Sequence, residues 1–350
     1  MHVFDYDYEL PQALIAQTPA AQRSQSRLFV LERANGRISH DHFYDLPNHL
    51  QAGDLLVAND SRVIPARLYG VKESTGAVIE LLLLRPHGKA GEWQALVRPG
   101  KRVKAGQTVV FGDGALKARV GDALEDGVRV VEFSVTDESF DALLDVLGEM
   151  PLPPYIKEKL HDNERYQTVY ARAKGSVAAP TAGLHFTPQL LDQLAQQGVE
   201  TEFITLHVGL GTFRPVQVEN IGDHHMHEEW YAVSTKLFDK IQSTRAAGHR
   251  VVSVGTTTVR ALESAYRKLH SATSGEAQTD VVSGLTDIFI YPGFEFHATD
   301  ALITNFHLPK STLLMLISAL AGRQRILDAY RVAVKEQYRF FSFGDAMLIK

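Results

Sequence analysis

The chain has 350 residues, more than one hydrophobic core usually fills, so we expect two domains. It carries a net charge of −5 and no cysteine, which excludes disulfides, thiolate nucleophiles, iron–sulfur clusters and cysteine-built zinc sites. The start is acidic and aromatic, unlike a signal peptide, and no apolar run reaches membrane-spanning length, so we expect a cytoplasmic protein with no membrane partner. An RNA ligand would require a local basic patch.

The first 65 residues predict mixed structure with a ligand-bearing strand end. Strands are predicted at 28–32, 37–42 and 54–59, with an Asn35-Gly36 hairpin turn between the first two. Asp60 and Arg62 follow the third strand, and α/β sheets place ligands at such strand ends. A simple turn containing an ion pair explains these two residues equally well.

Residues 66–149 have a different composition. Short runs rich in Val and Leu alternate with Gly turns up to about residue 136, which predicts an inserted all-β barrel-like domain, and a helix follows at 137–148. A turn in this domain collects the basic residues Arg98, Lys101, Arg102 and Lys104. A solvated loop is the default interpretation, and contact with a nucleic-acid phosphate backbone is the alternative.

From about residue 175 the pattern alternates between strand and helix. Strands are predicted at 199–208, 250–254, 287–291 and 301–306, and helices at 236–247, 259–269 and 311–321. This order predicts a three-layer α/β domain on a largely parallel sheet, made discontinuously from residues 1–65 and 150–350. The tail at 338–349, aromatic and then apolar, is predicted to finish the sheet or to wall a pocket.

The stretch at 180–187 contains the strongest candidate for chemistry. Thr187 can cap the helix that follows, and Pro188 suits the first turn of that helix. His185 should therefore lie at the positive end of a helix dipole, which favours a neutral imidazole and attracts anions. A neutral histidine beside an anion site is a candidate general base, although a turn histidine that merely caps or packs is the alternative.

Three further loops follow predicted strands and carry polar groups. Their candidate residues are His207, Gly209, Gly211 and Arg214 in the first loop, Thr256, Thr257 and Thr258 in the second, and Asn305, His307, Lys310, Ser311 and Thr312 in the third. The first lacks the third glycine and the helix of a dinucleotide fingerprint, and the last lacks the glycine of a Walker motif. Free N–H groups and hydroxyls at helix starts instead suit a carboxylate or a phosphate, and such loops converge at one sheet edge.

One histidine cluster suggests a metal-dependent hydrolase as an alternative. It consists of His224, His225, His227 and Glu228. Imidazoles with a carboxylate can bind zinc or iron, but this spacing is neither H-E-x-x-H nor a helical i, i+4 pair. Hydrogen-bonded loop histidines are the simpler interpretation.

Taken together, these motifs resemble the S-adenosylmethionine:tRNA ribosyltransferase-isomerase family of queuosine biosynthesis. The matching segments are Phe4-Asp5-Tyr6, 59–68, 165–170, 179–187, 207–216, 255–262, 303–314 and 338–349. The resemblance runs essentially from end to end, and it implies an α/β domain with an inserted β-barrel. It also implies transfer and isomerisation of the ribosyl part of S-adenosylmethionine onto 7-aminomethyl-7-deazaguanine at the tRNA wobble position. Epoxyqueuosine is then formed, adenine and methionine leave, and no metal or redox cofactor is required.

Under this resemblance, residue types suggest roles. A base must act on the ribose carbon that the sulfonium acidifies, and we expect His185 in that role; Asp60 or His207 could protonate the departing adenine. The methionine carboxylate would bind at 256–258 or at 310–312. The remaining substrate-binding candidates are Arg62, Thr181, Gly183, Gly209, Gly211, Arg214, Asn305 and His307, and the basic turn at 98–104 is the candidate for the tRNA backbone. An RNA-binding module without chemistry would bind tRNA but release no adenine.

Overall fold

The fold comes from a computed structural model, which describes residues 1–124, 127–135, 138–158, 160, 162–209, 216–271 and 279–350. These residues form two compact units. The first consists of Met1–Ser61, Pro154–Ala173 and Ala179–Lys350, and the second of Arg62–Pro153 and Lys174–Ala178. Composition alone places the ends of the inserted domain at 66 and 149.

The strands and helices are numbered along the chain. The strands are β1 Arg27–Leu31, β2 Ile38–His42, β3 Leu55–Asn59, β4 Ser61–Val63, β5 Arg67–Lys72, β6 Val78–Pro86, β7 Glu92–Arg98, β8 Thr108–Phe111, β9 Leu116–Ala123, β10 Val128–Phe133, β11 Gly148–Glu149, β12 Ala173–Ser176, β13 Glu200–Leu206, β14 Glu229–Ser234, β15 Val251–Val254, β16 Val281–Thr286, β17 Ala301–Asn305 and β18 Ala346–Ile349. The helices are α1 Glu138–Leu147, α2 Pro188–Gln196, α3 Thr235–Ala246, α4 Thr256–Ser271, α5 Thr312–Ala321 and α6 Arg323–Lys335. Among the described residues, no helix has both the length and the apolar character needed to cross a membrane.

The first unit is built on a nine-stranded sheet in the order β16-β14-β13-β3-β15-β17-β18-β1-β2. The neighbours β13, β3, β15 and β17 run parallel. The sheet is mixed, because β14 and β16 pair antiparallel at one end and β2 does so at the other. The chain tail does finish the sheet: β18 lies between β17 and β1.

Alternation along β1 shows how the sheet becomes the middle of three layers. Phe29 and Leu31 point into an apolar cluster that contains residues of α5 and α6. Leu28 and Val30 point to the opposite face, into a cluster that contains Leu190 of α2. Successive strand residues face opposite sides, so an all-apolar strand needs helices on both faces. The predicted α/β class is confirmed.

One predicted strand is wrong. Residues 287–291 lie outside the strands, although Ile288 and Ile290 are buried. The carbonyl of Ile288 accepts a hydrogen bond from Arg260 Nε instead of a ladder bond (3.4 Å). The edge strand is the preceding segment, β16, whose Gly284 weakens the apolar alternation that marks a strand in sequence.

The second unit contains a closed antiparallel barrel. Its six strands follow the order β5-β6-β7-β10-β9-β8, and pairing of β5 with β8 closes the ring. Closure brings Gly70 close to β8: a Cβ there would lie 2.6 Å from the Phe111 ring and from the Val110 carbonyl oxygen. Only glycine fits such an approach. The predicted inserted β-barrel is confirmed.

Candidate active site

A pocket in the first unit collects residues from loops that are distant in sequence. Seven predicted site residues line it: Thr181, Thr256, Thr257, Asn305, His307, Lys310 and Ser311. They come together because β15 and β17 run parallel and end at the same edge of the sheet. Tyr155, Val208 and Phe341 provide apolar wall. Lys310 (φ 59°) and Phe341 (φ 74°) in this lining both have left-handed backbone conformations, which are uncommon for non-glycine residues.

Other predicted residues lie away from this lining. Among the described residues, the lining does not include His185, Asp60, His207, Gly183, Gly209, Thr258 or Thr312. Arg62 belongs to the second unit, on β4. Gly211 and Arg214 lie outside the described residues.

His185 is buried behind the pocket wall. It ends a 3-10 helix, Thr181–His185, and Thr187 caps α2 by accepting from Leu190 N (3.2 Å). His185 Nε2 lies 3.2 Å from Asn305 Nδ2, and its Nδ1 lies 2.7 Å from Ser26 Oγ. Burial, with the nearby Arg23 and Arg339 charges, lowers the pKa of His185 to about 3. The imidazole is therefore neutral, mainly through burial.

The hydrogen bonds around His185 fix which atoms donate. Asn305 Oδ1 accepts from Thr181 Oγ1 (2.9 Å), so the Asn305 amide donates to His185 Nε2. The proton of His185 then sits on Nδ1 and is donated to Ser26 Oγ. His185 thus reaches the pocket lining through Asn305. A histidine with so low a pKa is a weak base at neutral pH, and this arrangement suits the orientation of Asn305.

The first turn of α4 is open to a ligand. Gly255 (φ 86°) precedes it and has no side chain with which to cap it. Thr258 Oγ1 donates to the Val254 carbonyl (2.6 Å), and Thr257 Oγ1 accepts from Asn59 Nδ2 (3.3 Å). The residue before α4 therefore supplies no side-chain acceptor for the first-turn N–H groups of this helix. Unpaired N–H groups and the helix dipole together favour an anion here.

The first turn of α5 has a side-chain cap of its own. Ser311 Oγ accepts from Leu314 N (3.2 Å), which caps this helix. Lys310 Nζ forms an ion pair with Asp7 (3.0 Å) and lies 4.5 Å from the centre of the Phe4 ring. Asp7 thus compensates the lysine charge that opposes the helix dipole, and no anionic ligand is needed to explain it.

A second polar group lies at the ends of β3 and β13. Asp60 is buried; its Oδ2 accepts from Arg172 Nε (2.6 Å) and its Oδ1 from Thr205 Oγ1 (2.7 Å). The neighbouring Asn59 bonds to the backbone of Leu206 on β13 and fixes the junction. Asp60 is therefore an ion-paired hydrogen-bond acceptor, and its ion-pair partner is Arg172, which the sequence did not suggest.

His207 directly follows the last residue of β13. Its ring stacks on Trp230, with 5.1 Å between centroids and 22° between planes. Burial lowers the pKa of His207, and the Asp60 charge opposes that shift. His207 Nδ1 is buried and has no hydrogen-bond partner among the described residues. It is therefore a buried imidazole nitrogen whose hydrogen-bonding capacity is unused.

Gly209 and Gly183 have structural explanations. Gly209 N donates to Glu229 Oε1 (2.9 Å), and Glu229 is ion-paired with the buried Arg260 of α4. A Cβ at Gly183 would lie 2.2 Å from the Tyr170 hydroxyl, so glycine leaves room for that ring. A backbone hydrogen bond thus accounts for Gly209, and close packing against Tyr170 accounts for Gly183.

The histidine cluster does not form a metal site. His225, His227 and Glu228 are exposed, and His224 packs edge-on against Phe289. Across the described ranges, no three His, Cys, Asp or Glu side chains are grouped closely enough to hold a metal ion. The geometry gives the metal-dependent hydrolase no support.

Sequence patterns missed several residues of the second polar group, namely Arg172, Thr205 and Trp230. Thr205 could have been found, because it lies two positions before His207 and strand residues two apart share a face. Arg172 reaches the group from a distant chain segment, through its bond to Asp60, and Trp230 reaches it through the pairing of β14 with β13. No local sequence pattern reveals either contact.

Comparisons with known proteins agree with this architecture. The family model described as queuosine biosynthesis protein matches residues 3–349, and the chain belongs to that family. Similar proteins include two named S-adenosylmethionine:tRNA ribosyltransferase-isomerase. The one from Moorella thermoacetica is 59% identical over 350 residues, and the one from Desulforamulus reducens is 55% identical over 349 residues, each with 100% of both chains covered.

A solved structure is also similar. The crystal structure of S-adenosylmethionine tRNA ribosyltransferase from Thermotoga maritima is 42% identical to this chain, covers 99% of it and is itself covered completely, with a TM-score of 0.56. The curated relatives are named as ribosyltransferase-isomerases, and this chain is accordingly an enzyme of the transferase and isomerase type.

Proposed function

We propose that this enzyme transfers and isomerises the ribosyl group of S-adenosylmethionine onto 7-aminomethyl-7-deazaguanine at the tRNA wobble position. The products are epoxyqueuosine-tRNA, adenine and methionine. S-adenosylmethionine acts as a cosubstrate. The observation that carries the proposal is the pocket at the start of α4, where a helix that begins after a glycine adjoins an aromatic wall. A cytoplasmic location stays a prediction.

In this proposal the pocket holds S-adenosylmethionine. Its methionine carboxylate binds the first-turn N–H groups of α4 beside Thr256 and Thr257, because α5 is capped by its own Ser311. Tyr155 and Phe341, whose rings are 4.4 Å apart, offer π faces to the adenine or to the sulfonium cation. Thr181, Asn305 and His307 supply the remaining polar contacts.

The catalytic groups are assigned from their hydrogen bonds. His207 exchanges protons through its unpartnered Nδ1, acting as base or as acid. Asp60, ion-paired with Arg172, orients neighbouring donors. His185 is proposed as the residue that positions Asn305, a change from the general-base role that its sequence position suggests.

The tRNA backbone is proposed to contact the second unit. Arg98, Lys101, Arg102 and Lys104 are exposed around the turn that follows β7. In the described part of the chain these four cations have no carboxylate partner, whereas Lys89 and Lys117 of the same unit pair with Glu132 and Glu73. Unpaired cations at a turn suit phosphate groups.

Incubation with S-adenosylmethionine and tRNA carrying the modified base tests the proposal, with unmodified tRNA as control. Adenine release and the nucleoside mass of epoxyqueuosine should appear only with the modified tRNA. The His207→Gln variant should lose most turnover and one limb of the pH profile, whereas His185→Gln should lower turnover without removing a limb. Absence of both products with folded enzyme and intact substrates would contradict the proposed function.

A further inference from the structure

One face of the large sheet carries a row of polar and aromatic side chains across neighbouring strands. Thr205 donates to Asp60, and His207, two residues further along the chain, shares that face. His207 N bonds to the Trp230 carbonyl, and Trp230 is in register with Leu285 on β16. The row therefore runs from Asp60 through His207 to an aromatic and an aliphatic side chain.

The aromatic end of this row is open to solvent. Trp230 is 40% exposed and Leu285 is 51% exposed, although β14 is not an edge strand. The residues on either side of Trp230, Glu229 and Tyr231, are buried on the opposite face of the strand. An exposed indole beside polar side chains such as His207 and Asp60 offers a flat surface on which a ligand can stack.

We propose that the Trp230 indole, stacked on His207, is a platform for a nucleobase of the tRNA; this inference rests on the proposed function. Bases taken out of their stack are commonly bound on aromatic side chains, because every base has a π face. Arg172, whose side chain is largely exposed, balances the Asp60 charge and removes a repulsion toward phosphate.

A second exposed aromatic ring also stacks on a histidine, so stacking by itself does not mark a binding platform. Tyr44 is 48% exposed and stacks on His42, with 5.1 Å between centroids and 2° between planes. His42 is the last residue of β2, at the opposite edge of the sheet from β16, and the pair is therefore away from the row that contains Asp60. It provides a matched control.

Tryptophan fluorescence tests binding directly, because the chain has only two tryptophans, Trp93 and Trp230. In a Trp93→Phe variant, Trp230 is the sole reporter. Addition of tRNA carrying the modified base should quench its emission, and S-adenosylmethionine alone should not. Unchanged emission at tRNA concentrations that saturate binding by filter retention would overturn the proposal, and so would quenching by S-adenosylmethionine alone.

Kinetics give the second test. Trp230→Ala should raise KM for tRNA about tenfold, the range expected for loss of one stacked base, with KM for S-adenosylmethionine unchanged. Trp230→Phe should recover most of the loss, and Tyr44→Ala should match the wild type. Equal tRNA KM values for Trp230→Ala and the wild type would overturn the proposal.

Failure of the proposed function is distinguishable from failure of the platform. If the wild type binds the modified tRNA but forms no epoxyqueuosine, the fluorescence titration still decides whether a base stacks on Trp230. If product forms and Trp230→Ala is folded by circular dichroism yet kinetically normal, the platform is wrong and the function stands.

Discussion

Two buried histidines, His185 and His307, are kept uncharged by their surroundings. His185 bonds to Asn305 and Ser26, and His307 Nε2 lies 2.9 Å from Thr304 Oγ1. Burial lowers the pKa of each to about 3, from an ordinary value of 6.5. Both imidazoles serve as neutral hydrogen-bonding groups behind or along the pocket wall.

Protonation of these histidines should destabilise the fold in acid. Between pH 6.5 and 3 the unfolded chain binds protons that the folded chain excludes. The stability from each neutral imidazole is thus complete above pH 6.5 and declines as the pH falls towards 3. Each histidine should contribute a slope of about 1.4 kcal/mol per pH unit to the free energy of unfolding. Urea unfolding at about pH 7, 6 and 5 measures this slope.

The matched variant is His307→Gln, which keeps a hydrogen-bonding group near Thr304 and cannot be protonated. Its free energy of unfolding should depend on pH less steeply than that of the wild type. The expected difference in slope is about 1.4 kcal/mol per pH unit, the contribution of one proton. Identical slopes for the two proteins would show that the pKa of His307 does not differ between the folded and unfolded states.

Three helix starts in the first unit differ in how their first turns are satisfied. α2 is capped by Thr187 and α5 by Ser311, while α4 follows Gly255, which has no side chain that could cap it. A helix that supplies its own cap has little need of an anion, and an uncapped one can bind a ligand. This difference favours α4 over α5 as the carboxylate site.

Ser311→Ala should therefore act on stability first. Loss of the cap should reduce the free energy of unfolding by about 1 kcal/mol, and KM for S-adenosylmethionine should rise less than in Thr257→Val. Thermal unfolding and steady-state kinetics of both variants measure the two effects. A larger KM increase for Ser311→Ala than for Thr257→Val would move the carboxylate site to α5.

At the level of the whole molecule, charge is distributed unevenly. The net charge is −5, yet the turn at 98–104 carries four exposed cations without carboxylate partners in the described residues. Long-range attraction to RNA depends on such local clusters and not on the total charge.

Neutralising this turn should weaken tRNA binding in a salt-dependent way. A variant with Lys101→Gln and Arg102→Gln should bind tRNA less tightly, and the slope of log K against log salt should fall by about one for each phosphate that the turn no longer neutralises. Lys117→Gln, in which a lysine paired with Glu73 is removed, is the matched control and should leave the slope unchanged. Equal slopes for both variants would exclude the turn as a binding site for the RNA backbone.

Local sequence determined the elements and their class. The Thr187 cap of α2 and the Asn35-Gly36 turn between β1 and β2 both depend on interactions within a few residues, and the structure has them as predicted. The barrel could also be predicted, because short Val-rich runs between glycine turns have no helical alternative. The family resemblance extended this to the enzyme class.

Only the tertiary structure decided the surroundings of each side chain. Burial separated His185 from the pocket and lowered its pKa, and Asp7, near the other end of the chain from Lys310, took up the lysine charge. The register of β13 and β14 set His207 on Trp230. Sequence periodicity fixes which face a residue occupies, but pairing between distant segments fixes its neighbours, its burial and hence its chemistry.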